Sequence, residues 1–248
     1  MALFSFLKGP KSNPSLPLSL ASLESDWHCH VLPGIDDGCQ NEAQSLEMLL
    51  CYTAMGIKKI VATPHVRADF YKNTHTTISA AFQKVQHLIQ THNLPLLMEA
   101  SAEYYADENF FQLITENQLM PIDNQYILFE LPMQNPGLWG TKMIEMLQKK
   151  GYTPLLAHPE RYRYWHNKPQ EWSLWKNTGV CFQLNLLSLT GYYGAAERRA
   201  AEQLLEADYI DAVGTDAHGV RHLQKLNELT QNSLFDNLQQ LPLLNRLG

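Results

Sequence analysis

The chain has 248 residues, is 45 % apolar and carries no low-complexity tract, which fits one large globular domain or at most two small ones. Its formal charge of −6 argues against a general affinity for nucleic acid, since such binding needs a basic face. No apolar run approaches the roughly 18 residues of a membrane span, so no membrane insertion is expected. Cys29, Cys39, Cys51 and Cys181 lack paired spacing and read as reduced thiols of a cytoplasmic protein.

In chain order, residues 1–23 come first. Their apolar stretch, Ala2 to Leu7, is cut short by Lys8, Pro10 and Pro14 and has no basic segment before it. That is too short for a secretory signal, so a partly ordered leader is expected ahead of a main domain over 24–248. From there, short β-branched or apolar runs alternate with stretches of helical period. The predicted strands are Asp26–His30, Lys59–Thr63, Leu96–Ala100, Tyr126–Leu131, Thr153–Ala157, Val180–Asn185 and Ile210–Gly214.

The first predicted helix, Asn41 to Met55, places Leu46, Leu49, Leu50 and Thr53 on one face and stops at Gly56. The next, Thr76 to Thr91, does so with Ile78, Phe82, Val85 and Ile89. Helices are also expected over Asp107–Asn117, Leu138–Lys150 (closed by two lysines and Gly151), Pro169–Asn177, Ala195–Glu206 and beyond Arg221. Such alternation implies parallel strands with crossover helices, either as an open sheet or as a closed barrel. No glycine-rich phosphate loop follows the first strand, which removes the main support for a nucleotide-binding version.

The residues at the strand ends carry the chemistry. The first strand closes on Asp26-Trp27-His28-Cys29-His30, and residues two apart on a strand share a face, so His28 and His30 converge. The second ends in Thr63-Pro64-His65, the third runs into Glu103, the fifth ends in His158-Pro159-Glu160-Arg161, and the seventh in Asp216-Ala217-His218. In parallel barrels the carboxyl edge of the strands is where active sites assemble. One metal site accounts for all five ends, whereas separate explanations would be needed for an edge HxH, two loop histidines and a surface acid.

With Asp37, the candidate ligands are His28, His30, His65, Glu103, His158, Asp216 and His218. A single catalytic zinc uses about three protein ligands, so mixed nitrogen and oxygen donors in this number suit two or three ions of manganese, iron or zinc. Clustered divalent ions clamp phosphoryl oxygens and acidify water, which is the chemistry of phosphoester hydrolysis. Arg161 is a candidate phosphate fork. Arg67, Asn185 and Ser188 are placed to touch substrate or to serve the fold alone. Asp36 shapes the turn Pro33-Gly34-Ile35-Asp36-Asp37-Gly38. His75, His87, His92, His166 and His222 read as surface residues without partners.

On the segments DWHCHVLPGIDDG (26–38), ATPH (62–65), AEYY (102–105), AHPERY (157–162) and VGTDAH (213–218), the chain resembles the polymerase-and-histidinol-phosphatase superfamily. More narrowly it is similar to the capsule-type bacterial protein-tyrosine phosphatases within it. The resemblance implies a distorted seven-stranded (β/α) barrel holding three divalent metals, manganese above all. Carried over by position, His28, His30 and Asp216 would hold one metal and Glu103 would bridge to a second that also takes His158. Asp37, His65 and His218 would hold the third, and Arg161 would bind phosphate.

The implied substrate is a phosphotyrosine protein, the tyrosine-rich tail of a bacterial tyrosine autokinase that controls capsule or exopolysaccharide synthesis. The leader and the residues Val66-Arg67 after His65 depart from the family pattern. Competing readings are a phosphatase of a small molecule such as histidinol phosphate, a TatD-like metal nuclease, which leaves Asp37 and His218 unexplained, and a non-catalytic metal-bound regulator. A cysteine-based phosphatase is excluded, because no cysteine is followed six positions later by arginine. Monomer and homo-oligomer remain equally open.

Overall fold

The structure, a computed structural model, describes residues 19–137, 140–231 and 233–246. Most of the expected leader therefore lies outside the described residues. Its last part packs on the domain: Leu20 and Leu23 are buried, and the Leu20 amide donates to the Met55 carbonyl at 2.8 Å.

All seven predicted strands form. They are β1 (Ser25–Cys29), β2 (Lys59–Ala62), β4 (Leu97–Ala100), β6 (Tyr126–Glu130), β7 (Thr153–Ala157), β8 (Cys181–Asn185) and β9 (Ala212–Gly214), with two short additions, β3 (His65–Val66) and β5 (Glu103–Tyr105). Pairing is parallel throughout and divides into a three-stranded sheet, β1-β2-β4, and a curled six-stranded sheet, β3-β5-β6-β7-β8-β9. One uninterrupted ladder of seven is thus not what the hydrogen bonds draw.

The division has a local cause. Pro64 follows β2 and has no N–H to donate, so the ladder breaks there and resumes at His65. The neighbouring strand breaks in step. Ser101 N donates to Ala62 O at 2.8 Å, Glu103 N to Pro64 O at 3.1 Å, and His65 then pairs with Glu103. At the other margin Asp216 N donates to His28 O at 2.8 Å and His30 N to Ala217 O at 3.0 Å, which ties β9 to β1.

The main helices occupy the expected stretches, α1 (Glu42–Ala54), α2 (His75–Thr91), α3 (Glu108–Glu116), α4 (Gly140–Lys149), α5 (Pro169–Asn177), α7 (Ala195–Glu206), α8 (Val220–Lys225) and α9 (Ser233–Leu238), and a short unexpected one, α6 (Leu186–Leu189), follows β8. Their starts follow capping chemistry. Asn41 accepts from Gln44 N, Asp107 from Phe110 N, and Thr74 with Thr77 forms a reciprocal box; each such cap is worth about 1 kcal/mol.

The expected face of α1 is corrected. Ser45, Met48, Leu49 and Tyr52 are buried, whereas Leu50 is 49 % exposed and Leu46 and Thr53 are only half-buried. Two polar tips reverse the reading: Ser45 Oγ donates to Val31 O at 2.7 Å and Tyr52 Oη to Asp26 Oδ2 at 2.7 Å. On α2 the buried set is Ile78, Ala81, Val85 and Ile89, with Phe82 at its margin.

Candidate metal centre

The strand ends bring the predicted ligands together at one edge of the sheets. His28 Nε2 and His30 Nε2 lie 3.3 Å apart. Around them stand Asp216 Oδ1, at 3.4 and 3.3 Å from the two nitrogens, and Glu103 Oε2, at 3.2 and 3.6 Å. His65 Nδ1 is 3.0 Å from the same Glu103 oxygen, and His158 Nε2 is 3.0 Å from Glu103 Oε1. Asp37 Oδ1 faces His65 Nε2 at 3.5 Å and His218 Nε2 at 3.4 Å.

Three groups with ligand atoms in mutual reach result: His28, His30, Glu103 and Asp216; His30, Asp37, His65 and His218; and His65, Glu103 and Glu130. All eight predicted residues take part, with His158 joined through Glu103. All of them except His65, Asp37 and His218 are buried.

Hydrogen bonds behind the imidazoles decide which way the lone pairs point. His28 Nδ1 meets Gln183 Oε1 at 2.7 Å, and the Gln183 amide is oriented because its Nε2 donates to Trp27 O at 3.3 Å. His30 Nδ1 meets Asp36 Oδ2 at 2.8 Å. Both Nδ1 atoms are therefore donors, which leaves the lone pairs of the two facing Nε2 atoms as the ones a cation or a proton would take. Two lone pairs at 3.3 Å beside two carboxylates repel one another unless positive charge sits among them. Glu103 Oε2 is also buried without a hydrogen-bond partner. This donor set fits divalent cations.

Protons are the alternative source of that charge. Burial pulls His28 and His65 down, but Glu103 and its neighbouring acids outweigh it and raise them to about 9 and about 10. Burial alone would raise Glu103 and Asp216; the imidazoles, His28 foremost, hold both well below the usual carboxylate range. His158, buried and next to Arg161, falls to about 4 and stays neutral.

The backbone contributes as well. His158 (φ 37°), directly after β7, and Asp216 (φ 48°), two residues after β9, adopt left-handed conformations, strained turns of the kind that cluster at functional sites. Gly214 and Gly38 are needed for close approach: a Cβ on the first would stand 2.4 Å from His28 Cβ, and on the second 2.5 Å from His30 Cβ.

Several participants escaped the sequence reading. Glu130, buried at the end of β6, lies 3.6 Å from His65 Nδ1 and 3.9 Å from His158 Nε2; burial and the charge of Glu103 push it up to about 8. The strand-end rule pointed to it, but the predicted strand ran on to Leu131. Asp36 does more than shape a turn, since it also accepts from Gly38 N and His65 N while holding His30. Gln183 and Tyr193 carried no signal.

Asn185 and Ser188 are buried. Asn185 Nδ2 donates to Asp216 Oδ2 at 2.8 Å and Ser188 Oγ to Glu160 Oε1 at 2.7 Å, so both support the site from behind. His222 and His166 are corrected too. His222 lines the cleft and meets Tyr192 Oη at 2.9 Å, and His166 Nε2 bonds Glu160 O at 2.7 Å.

Above the cluster opens a cleft of about 540 Å³ whose floor includes Glu103, His158 and Asp216. Arg161 reaches in from one wall, its Nη1 2.9 Å from Asp216 Oδ2 and its guanidinium 4.2 Å over the Tyr193 ring. Arg67, Phe70, Tyr71 and Tyr192 form the rim.

Fold and site together define a metal-dependent α/β protein, with its ligands at the carboxyl edge of parallel strands. The chain belongs to the capsular polysaccharide synthesis family CpsB/CapC, which matches residues 24–231. It is 32 % identical over 211 residues to the tyrosine-protein phosphatase YwqE of Bacillus subtilis, covering 85 % of this chain and 82 % of that one. The putative tyrosine-protein phosphatase CapC of Staphylococcus aureus is 24 % identical over 196 residues, 79 % of this chain and 77 % of the other. Among solved structures, one from work on YwqE of Bacillus subtilis and CpsB of Streptococcus pneumoniae, described as unique metal-dependent tyrosine phosphatases, superposes with a TM-score of 0.77. It is 30 % identical and covers 86 % of each chain.

Proposed function

We propose that this chain is a metal-dependent protein-tyrosine phosphatase of the capsule-synthesis type. The observation that carries the proposal is the pair of facing imidazole lone pairs with Glu103 and Asp216 beside them, in a chain 32 % identical to a tyrosine phosphatase. His28, His30 and Asp216 would hold one ion, Glu103 with His158 a second, and Asp37, His65 and His218 a third. Manganese suits these nitrogen and oxygen donors. Divalent cations bound there neutralise phosphoryl charge and bring water to the acidity needed for attack at phosphorus.

The chain's own residues do the rest. Arg161, held over the Tyr193 ring, presents a planar fork to a phosphoryl oxygen at the cleft floor. The Asn185 amide, bonded to the Asp216 oxygen that Arg161 also meets, keeps that carboxylate in place when the arginine turns to substrate. Phe70, Tyr71 and Tyr192 at the rim suit an aryl ring whose phosphate reaches the buried cluster.

The two sheets are then one interrupted barrel of seven strand positions, in which β2 with β3 and β4 with β5 each fill one position. The physiological target is the phosphorylated tail of a cytoplasmic tyrosine autokinase. Phosphate release from a phosphotyrosine peptide, beside histidinol phosphate and a DNA oligonucleotide, tests the substrate class. The peptide is expected to be hydrolysed, and lost on His28→Ala with His30→Ala; preference for either other substrate would contradict the reading.

A further inference from the structure

Arg67 is a cation in an acid-lined cleft, yet it has no acid of its own. The other arginine that lines the cleft, Arg161, joins the cluster through Asp216. Among the described residues, no carboxylate lies within ion-pair distance of the Arg67 guanidinium, and its Nε is buried without a hydrogen-bond partner. What holds it is aromatic: its Cζ lies 4.0 Å over the Tyr105 ring and 4.6 Å over the Phe70 ring. The backbone fixes the same corner, since Arg67 and Tyr71 exchange N–H···O bonds of 2.9 and 3.0 Å. Tyr71 in turn stacks on His65 at 5.5 Å.

A guanidinium held over two rings is fixed by contacts that do not use up its N–H donors, and so loses little freedom on taking an oxyanion. Arg67 stands at the rim beside Phe70, which is 68 % exposed, while Arg161 reaches from the wall down to Asp216 on the floor. In the sheet order, β3, which precedes Arg67, and β7, which precedes Arg161, are three steps apart. An arginine at the cluster and another at the rim can therefore serve two different anionic groups.

We propose that Arg67 is a specificity-determining residue that grips an oxyanion on a residue flanking the scissile phosphotyrosine. The partner chemistry is a planar carboxylate or a second phosphate, bound edge-on by the guanidinium. This rests on the phosphatase reading above, and it adds a sequence preference to it: acidic-flanked phosphotyrosine is favoured over neutral-flanked.

The experiment compares the parent chain with Arg67→Ala and Arg67→Lys on four substrates: p-nitrophenyl phosphate and phosphotyrosine peptides with neutral flanks, a glutamate flank, or a second phosphotyrosine. Steady-state kinetics are paired with equilibrium binding of the same peptides by fluorescence anisotropy. Arg67→Ala is expected to raise KM about tenfold for the acidic-flanked peptides, equivalent to about 1.4 kcal/mol, with kcat much less affected. The effect on p-nitrophenyl phosphate should be several-fold smaller. Arg67→Lys, which keeps charge but not the planar fork, should recover only part of it.

The glutamate and second-phosphate arms show which oxyanion is taken. An equal loss on all four substrates, or no change on any, overturns the proposal. Should the parent bind acidic-flanked peptides selectively through Arg67 yet hydrolyse none, the phosphatase reading fails and the Arg67 assignment stands.

Discussion

The lone-pair direction at His28 depends on one side chain with no chemistry of its own. Gln183 Oε1 receives the Nδ1 proton, Trp27 O fixes the amide, and Gly214 leaves room for both. Gln183→Leu removes the acceptor while keeping bulk, so the ring is free to take the other tautomer or turn. Partners of this kind are typically worth about 10- to 100-fold in metal affinity. Calorimetric titration with manganese should show a loss of that order while the circular dichroism of the fold is kept; unchanged affinity would refute the role. Gln183 was not legible in the sequence because it sits mid-strand and inward, where any residue of that size would fit the pattern. Glu130, by contrast, obeyed the strand-end rule that found Glu103 and His158, and was lost to a boundary placed one residue too late.

At the scale of elements, the strands were the most legible part, because short β-branched runs bounded by turns and helices have few other readings. All seven recur within two residues of expectation. The breaks after β2 and β4 were harder. Pro64 signals the first, but the matching break at Ser101-Ala102 follows only from pairing, which period alone does not reveal. Helix faces were legible where burial is purely apolar, as along α2. On α1 they were not, because the buried stripe includes Ser45 and Tyr52, whose hydroxyls find partners only in the folded structure. Tyr52 Oη and Thr215 Oγ1 both donate to Asp26, whose carboxyl burial pushes up; this polar knot anchors the strand that bears His28.

For the whole molecule, the excess of carboxylates at one sheet edge links metal uptake to pH. In the metal-free chain His28 at about 9, His65 at about 10 and His218 at about 8 are protonated at neutral pH, since the neighbouring acids outweigh burial. A bound cation requires these nitrogens bare. Metal binding at pH 7 therefore expels protons, and apparent affinity rises from pH 6 toward pH 9. His158, at about 4, releases none over that span. Titration calorimetry at pH 7 in two buffers of different ionisation heat should give different observed enthalpies; identical enthalpies would contradict the linkage. No helix among the described residues is long and apolar enough to cross a membrane.

The central claim is that the strand-end imidazoles and carboxylates hold divalent cations on which phosphotyrosine hydrolysis depends. The most direct measurement strips the chain with a chelator, adds manganese back stepwise, and follows bound metal and phosphate release from a phosphotyrosine peptide together. The claim predicts no turnover by the stripped chain, a parallel and saturable rise of both quantities, and neither in the His28→Ala, His30→Ala variant. Undiminished turnover after stripping, or full metal uptake by the variant, would contradict it.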